Sequence, residues 1–156
     1  MERIGADDIT ALTQRATDAT FYRDDLKPDE IEANRRVVRI CAETALAAVA
    51  SELQLFTAAF ADGSFAGYMI ATIHAPDDRE LDWLMVDPAF HGSDVSNALM
   101  QAGVDWLGRD RPMWLNVLQH NHRAIRFYQK HDFAVDEGAR TQHLIPHFVM
   151  RRAADV

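Results

Sequence analysis

The sequence predicts an α/β (α+β) fold, with a mixed, mostly antiparallel central sheet and helices on both faces. Three observations predict it. The first third carries apolar side chains at helical spacing. Residues 53–86 then turn β-rich and are broken by turn signals. Beyond residue 80, strand and helix patterns alternate, and a helix between the strands at 80–86 and 113–118 makes those two parallel.

Each element has its own local reason. "DDITALTQRA" places Ile9, Leu12 and Ala16 on one helical face, with Asp7 or Asp8 as the cap. "LKPDEIEANRRVVRICAETALAAVASE" opens with Pro28, Asp29 and Glu30, which suit a first helical turn. Ile31, Val38, Cys41, Ala45 and Val49 then recur at helical spacing. "LQLFTAAFA" and "SFAGYMIATIHA" are strands joined at Asp62-Gly63, a two-residue hairpin signal, since both residues tolerate positive φ. "APDD" is the next turn, "ELDWLMV" the third strand, and Pro88 ends it.

"GSDVSNALMQAGVDWLG" is a helix with Val95, Leu99, Ala102 and Trp106 as its stripe, closed by Gly108 and Pro112. "MWLNVL" (113–118) is a buried strand. A short helix follows from about Asn121 to Lys130. "DFAVD" and "HLIPHFVMRR" close the sheet, and Pro146 points to an edge position or a bulge for the last strand.

Bulk properties narrow the function. The chain has 156 residues, which fits one domain, 1–156, with one core. No apolar run reaches the roughly 18 residues of a membrane helix, and "MERIGADDIT" is too acidic for a signal peptide. The single Cys41 forms no internal disulfide and reads as a small buried residue. The expectation is a cytoplasmic protein without a membrane partner. Net charge is −8, and no Lys/Arg cluster stands out beyond the pairs at 35–36 and 151–152, which disfavours nucleic acid. His120, His122, His131 and Asp132 are close in sequence, but their spacing does not converge on a metal. No metal site is expected.

The segment joining strand 80–86 to its helix has anion-binding character. Backbone N–H groups at a helix N-terminus lack internal partners and face the positive end of the dipole. Gly92, Ser93, Val95 and Ser96 could offer them to a phosphate. "MVDPAFHGSDVSNALM" followed by "LNVLQHNHRAIRFYQKHDF" resembles the Gcn5-related N-acetyltransferase (GNAT) superfamily. Val86, Pro88, Phe90, Gly92, Val95 and Leu99 fit the family's cofactor loop. Leu115, Val117, Asn121, Ala124, Ile125, Phe127, Tyr128 and Phe133 fit its later segment in a fixed register. The resemblance covers about residues 53–151.

The resemblance implies a GNAT-like domain that takes acetyl-CoA as co-substrate and acetylates a primary amine, on a small molecule or a peptide, by direct attack. It implies that Asn121 starts the short helix and bonds the pantetheine arm, and that Tyr128 protonates the departing thiolate as general acid. The cofactor site would comprise Leu84, Met85, Val86, His91, Gly92, Ser93, Asp94, Val95, Ser96, Asn121, Ala124, Phe127 and Tyr128. An N–H near Leu84 or Met85 would serve the oxyanion. A homodimer is the family-level expectation. The general base would be a carboxylate on strand 80–86, Asp82 first and Glu80 second; both also suit a solvated strand face. Phe21, Tyr22, Trp83 and Trp114 suit either an acceptor pocket or the core.

The loop departs from the family pattern. His91 replaces Arg or Gln, Ser96 replaces Gly or Ala, and Asp94 replaces the central Gly. A carboxylate there either repels a pyrophosphate, at a cost of order 1 kcal/mol, or points outward and caps the helix. Asp132 replaces the Gly of the family's "GF" pair, which affects a turn more than chemistry. The alternative function is a non-catalytic GNAT-fold protein that binds acyl-CoA or serves as an interaction module.

Overall fold

The computed structural model describes residues 3–21 and 23–156. Its elements run α1 (Ala6–Thr20), α2 (Pro28–Val49), β1 (Gln54–Ala61), β2 (Ser64–Ala75), β3 (Asp78–Val86), a 3₁₀ turn (Pro88–Phe90), α3 (Val95–Leu107), β4 (Met113–Leu118), α4 (His122–Lys130), β5 (Ala134–Asp136) and β6 (His147–Arg152). The six strands are ordered β1-β2-β3-β4-β6-β5, and β3–β4 is the one parallel pair in this mostly antiparallel sheet.

Helices α1 and α2 cover one sheet face through Ile9, Leu12, Cys41 and Ala45 packed on Tyr68 and Ile70. Tyr68 is fully buried, and its hydroxyl donates to Thr13 Oγ1 at 2.6 Å, because Thr13 already donates to the Ile9 carbonyl. Helices α3 and α4, with Phe133 just after α4, cover the opposite face with Leu99, Met100, Val104 and Tyr128 on Met69, Leu81, Leu115 and Met150. A Cβ on Gly103 would lie 3.0 Å from Leu81 and 3.1 Å from Met69, so glycine there sets how closely α3 approaches the sheet.

The hairpin at Asp62-Gly63 forms as predicted, with φ of 52° and 76°. Three local expectations are corrected. The α1 cap is Gly5, and Asp8 reaches back to accept its N–H at 2.7 Å. Val49 is 67% exposed, because α2 turns its last buried contact through Ala48. Strand β6 is not at an edge: it pairs with β4 on one side and β5 on the other. Pro146 precedes its first residue, where no ladder donor is required, and its carbonyl accepts from Gln119 N–H.

Two bulges matter for the site. Ile70 and Ala71 pair with Trp83 and Leu81, leaving Asp82 as an extra residue in β3. Ile73 and Ala75 pair with Arg79 and Asp78, leaving His74 as an extra residue in β2. A bulge bends its strand and re-aims the side chain. Strand β3 meets β4 in register only at Glu80–Trp114, and beyond that point the two strands part.

Candidate active site

A cleft of about 460 Å³ opens where β3 and β4 part. Its floor is the end of β3, Leu84 to Val86, whose β4-facing backbone groups have no ladder partner from β4. One wall is the loop His91–Asp94 with Ser96 of α3, and the other is α4 with Asn121, Ala124, Phe127 and Tyr128. Gly92 has φ +80°, a left-handed turn that a side chain would resist.

Helix α4 is placed by its two ends. Asn121 Oδ1 accepts the Ala124 N–H at 3.2 Å as N-cap. At the other end, Phe133 N–H bonds the Tyr128 carbonyl at 3.1 Å and Asp132 N–H bonds that of Gln129 at 3.2 Å. This is the Schellman pattern, and its apolar contact is Phe133 against Tyr128, ring centroids 6.3 Å apart. The isolated phenylalanine after the helix therefore fixes the tyrosine. Asp132 takes the left-handed position at φ 69°. Asp132→Gly is expected to stabilise the fold by about 0.5 kcal/mol, read as a higher denaturant midpoint at unchanged slope.

Tyr128 is buried and lines the cleft. Burial alone pushes its hydroxyl up to about 12, so the phenol stays neutral at physiological pH. Three cations, Arg123, Arg126 and Lys130, also line the cleft. Arg123 donates to His91 Nδ1 at 2.6 Å. Burial and the Arg123 charge both hold His91 below the ordinary imidazole range, which makes it a neutral hydrogen-bonding link between the loop and α4.

On the α1–α2 side of the sheet sits a second group of titratable residues. Glu80 is 8% exposed, and His74 Nε2 lies 2.8 Å from its Oε1. Burial first, and then the Asp82 charge, raise Glu80 to about 7, against the lowering pull of His74. Asp82 is at the exposed rim, its carboxyl turned towards Glu80 and Thr72, and desolvation raises it too. Two carboxyls this close do not ionise independently.

Residues 12–133 match the model described as the Acetyltransferase (GNAT) family. The chain belongs to the GNAT acetyltransferase family. It is 39% identical over 90 residues to uncharacterised N-acetyltransferases of Mycobacterium tuberculosis and Mycobacterium bovis, a match covering 55% of this chain and 56% of each of those. It thus spans about half the length of the curated relatives it matches. Its fold is that of the PaiA N-acetyltransferase from Thermoplasma acidophilum, solved in complex with coenzyme A, with TM-score 0.75, 19% identity and coverage of 97% of this chain and 96% of that one. The ribosomal-protein-S18-alanine N-acetyltransferase from Escherichia coli superposes with TM-score 0.63 at 19% identity, over 99% of this chain and 93% of that one.

Of the residues that the GNAT resemblance named for the cofactor, Leu84, Met85, Val86, His91, Gly92, Ser93, Asp94, Ser96, Asn121, Ala124, Phe127 and Tyr128 line one cleft. Val95 does not. Its side chain is 7% exposed in the core, and its N–H goes to Ser93 Oγ at 3.4 Å. Asp94 occupies the N-cap position of α3 but makes no side-chain cap bond. Its backbone is right-handed helical, φ −76° and ψ −1°, whereas a capping side chain needs an extended backbone. The Asp94 carboxylate is exposed on the cleft wall.

Arg123, Arg126 and Lys130 were missed in the sequence. Their spacing of three and then four puts them on one helix face, a signal hidden by a search for contiguous basic runs. Glu80 and Asp82 lie outside the cleft, beyond the sheet. Phe21 is core at 5% exposure, and Trp83 packs on the α1–α2 core. Trp114 lines a second cavity of about 470 Å³ with Asp78 and Asn116. Tyr22 lies outside the described residues. Among the described residues no helix is long and apolar enough to cross a membrane, and no cluster of three metal-ligating side chains occurs.

Proposed function

We propose that this chain transfers an acetyl group from acetyl-CoA to a primary amine of a small molecule or a peptide. The observation that supports this reading best is the cleft, which has cations and a helix N-terminus at one end and a neutral phenol over an unpaired strand edge. That donor set suits a pyrophosphate and a pantetheine arm. Arg123, Arg126 and Lys130 would neutralise phosphate charge, with N–H groups of the Gly92–Ser96 turn beside them. Asn121 spends its Oδ1 on the helix cap, which leaves its amide N–H₂ for the arm. Acetyl-CoA supplies an activated carbonyl and a thiolate leaving group.

The residues divide the remaining chemistry. An ammonium is no nucleophile, so a base must first take its proton. The Glu80–Asp82 pair lies outside the cleft on the α1–α2 face of β3, so it would take that proton from an amine arriving on that face, with an apparent value near 7 at Glu80. Backbone N–H groups near Leu84 and Met85 would face the oxyanion. Tyr128 would donate its hydrogen bond to the sulfur as the C–S bond breaks.

The exposed charge of Asp94 favours the second reading, a protein of this fold that no longer catalyses. Isothermal titration of acetyl-CoA into the wild type and Asp94→Asn, followed by thiol release with a panel of amines, separates the two. Because φ at Asp94 is negative, the asparagine variant removes charge without changing what the backbone needs. It is expected to bind about fivefold more tightly at low salt, a gain lost as salt screens the phosphates. Micromolar binding by the wild type with amine-dependent thiol release supports the enzyme. Binding without turnover by any amine supports the second reading. No binding by either folded variant overturns both.

A further inference from the structure

We propose that His74 is a positioning residue for the base, holding the buried Glu80 carboxyl through Nε2 and linking it to solvent. This rests on the acetyl-transfer reading above, in which the Glu80–Asp82 pair deprotonates the amine.

The geometry begins with the bulges. A regular ladder would have given His74 and Asp82 partners of their own on the neighbouring strand. Instead both are the extra residues of their strands, and Glu80 lies between them. Bulges occur beside active sites because they re-aim one side chain at the cost of a ladder pair. The His74 ring is held from its other side as well. It stacks on Trp114, centroids 6.1 Å apart and planes 19° apart, and Trp114 Nε1–H donates to Asp78 at 2.7 Å. The buried end of the imidazole meets Glu80 at 2.8 Å, while the side chain as a whole is 42% exposed. Glu80 itself has 10% of its side chain exposed. The imidazole therefore spans from a carboxyl that water reaches poorly to the surface.

The charged groups facing this pair are Asp82 and Asp78 of β3; Trp114 of β4 and Thr72 of β2 are neutral. All the nearby carboxylates raise His74, and His74 in turn lowers Glu80. Removing the imidazole must therefore leave Glu80 protonated to higher pH.

Two measurements on the full chain test this. Imidazole ¹⁵N titration should place His74 above the ordinary histidine range, and Glu80→Gln should lower it by about one unit. In the kinetic arm, thiol release from acetyl-CoA is followed against pH with benzylamine and an alanine tripeptide as probe amines. His74→Ala should move the acidic limb of kcat/KM up by about one unit and leave the alkaline plateau nearly unchanged. His74→Gln keeps an N–H donor and should fall between. A His74 midpoint that is the same in wild type and Glu80→Gln overturns the proposal. So does a uniform loss of rate at every pH in both His74 variants, which would mark a packing role. Failure of the acetyl-transfer reading looks different, as no thiol release by the wild type with any amine. The titration arm then still decides whether His74 holds Glu80.

Discussion

Tyr128→Phe is expected to lower kcat by about 10²–10³-fold while leaving the Kd for acetyl-CoA within about twofold. The hydroxyl is the one atom changed. Burial is the sole cause of its raised value, so no protein group is set against it and the fold loses no hydrogen bond with it. The ring keeps its contacts with Phe127, centroids 5.6 Å away, and with Phe133. Thermal stability should therefore hardly move, and an activity loss would report chemistry. The size follows from the mismatch of acids. A phenol at about 12 does not give its proton fully to a thiolate whose conjugate acid lies near ~8.5. Its larger contribution is a hydrogen bond to charge that appears only as the C–S bond breaks. Such a bond adds to the transition state and little to ground-state binding, hence the split between kcat and Kd. The same value means that Tyr128 sets no alkaline limb below about pH 10. Thiol release and calorimetric titration on the two proteins decide it. An unchanged kcat would remove Tyr128 from the chemistry and leave it as a cleft wall.

What could be read from the sequence was what short-range chemistry decides. Asp62-Gly63 makes its hairpin because the turn demands positive φ at both positions. Asn121 caps α4 because an amide oxygen three residues ahead of Ala124 has an N–H to accept. The fixed register from Asn121 to Phe133 carried the site because both ends of α4 are set within that stretch. Where the outcome depended on a distant partner, the reading failed. Pro146 looked like an edge signal, yet β5 pairs with the far side of β6, and nothing local announces that strand order. Asp94 looked like a cap, but Ser93 beside it takes the Val95 N–H instead. The Glu80–Asp82 spacing put both carboxyls on one sheet face, and there they do meet, but it gave no sign of His74 beside them. The bulges that bring Asp82 and His74 around Glu80 are properties of register between strands, which composition does not encode. Net charge also hid a local feature, because −8 is an average and the α4 cations form a local exception to it.

Replacing both carboxyls, Glu80→Gln with Asp82→Asn, should cost activity and add stability, and the two effects should part with pH. At pH 8 kcat/KM should fall by about 10²-fold or more, because the amine loses its base. Glu80 is held at about 7 in the folded chain, against an ordinary value of 4.5. Between those values the folded protein binds a proton that the unfolded chain has lost, so stability falls as pH rises. Asp82 is raised as well and acts in the same direction. His74 is raised too, and its favourable contribution is complete at low pH and fades as pH climbs through its folded value. All three therefore make the wild type weakest above neutrality, where the proposed base would be ionised. The neutral amides remove the repulsion and the desolvation of charge together. The double variant should gain on the order of 2 kcal/mol at pH 8 and far less near pH 4, where Glu80 is already protonated in the wild type. Denaturant titrations at the two pH values measure it. A variant that is less stable than the wild type at pH 8 would mean that the carboxylates hold the sheet together. A gain confined to high pH, with lost turnover, is the signature of a carboxyl pair, buried at Glu80 and exposed at Asp82, kept at a stability cost for the proton it takes.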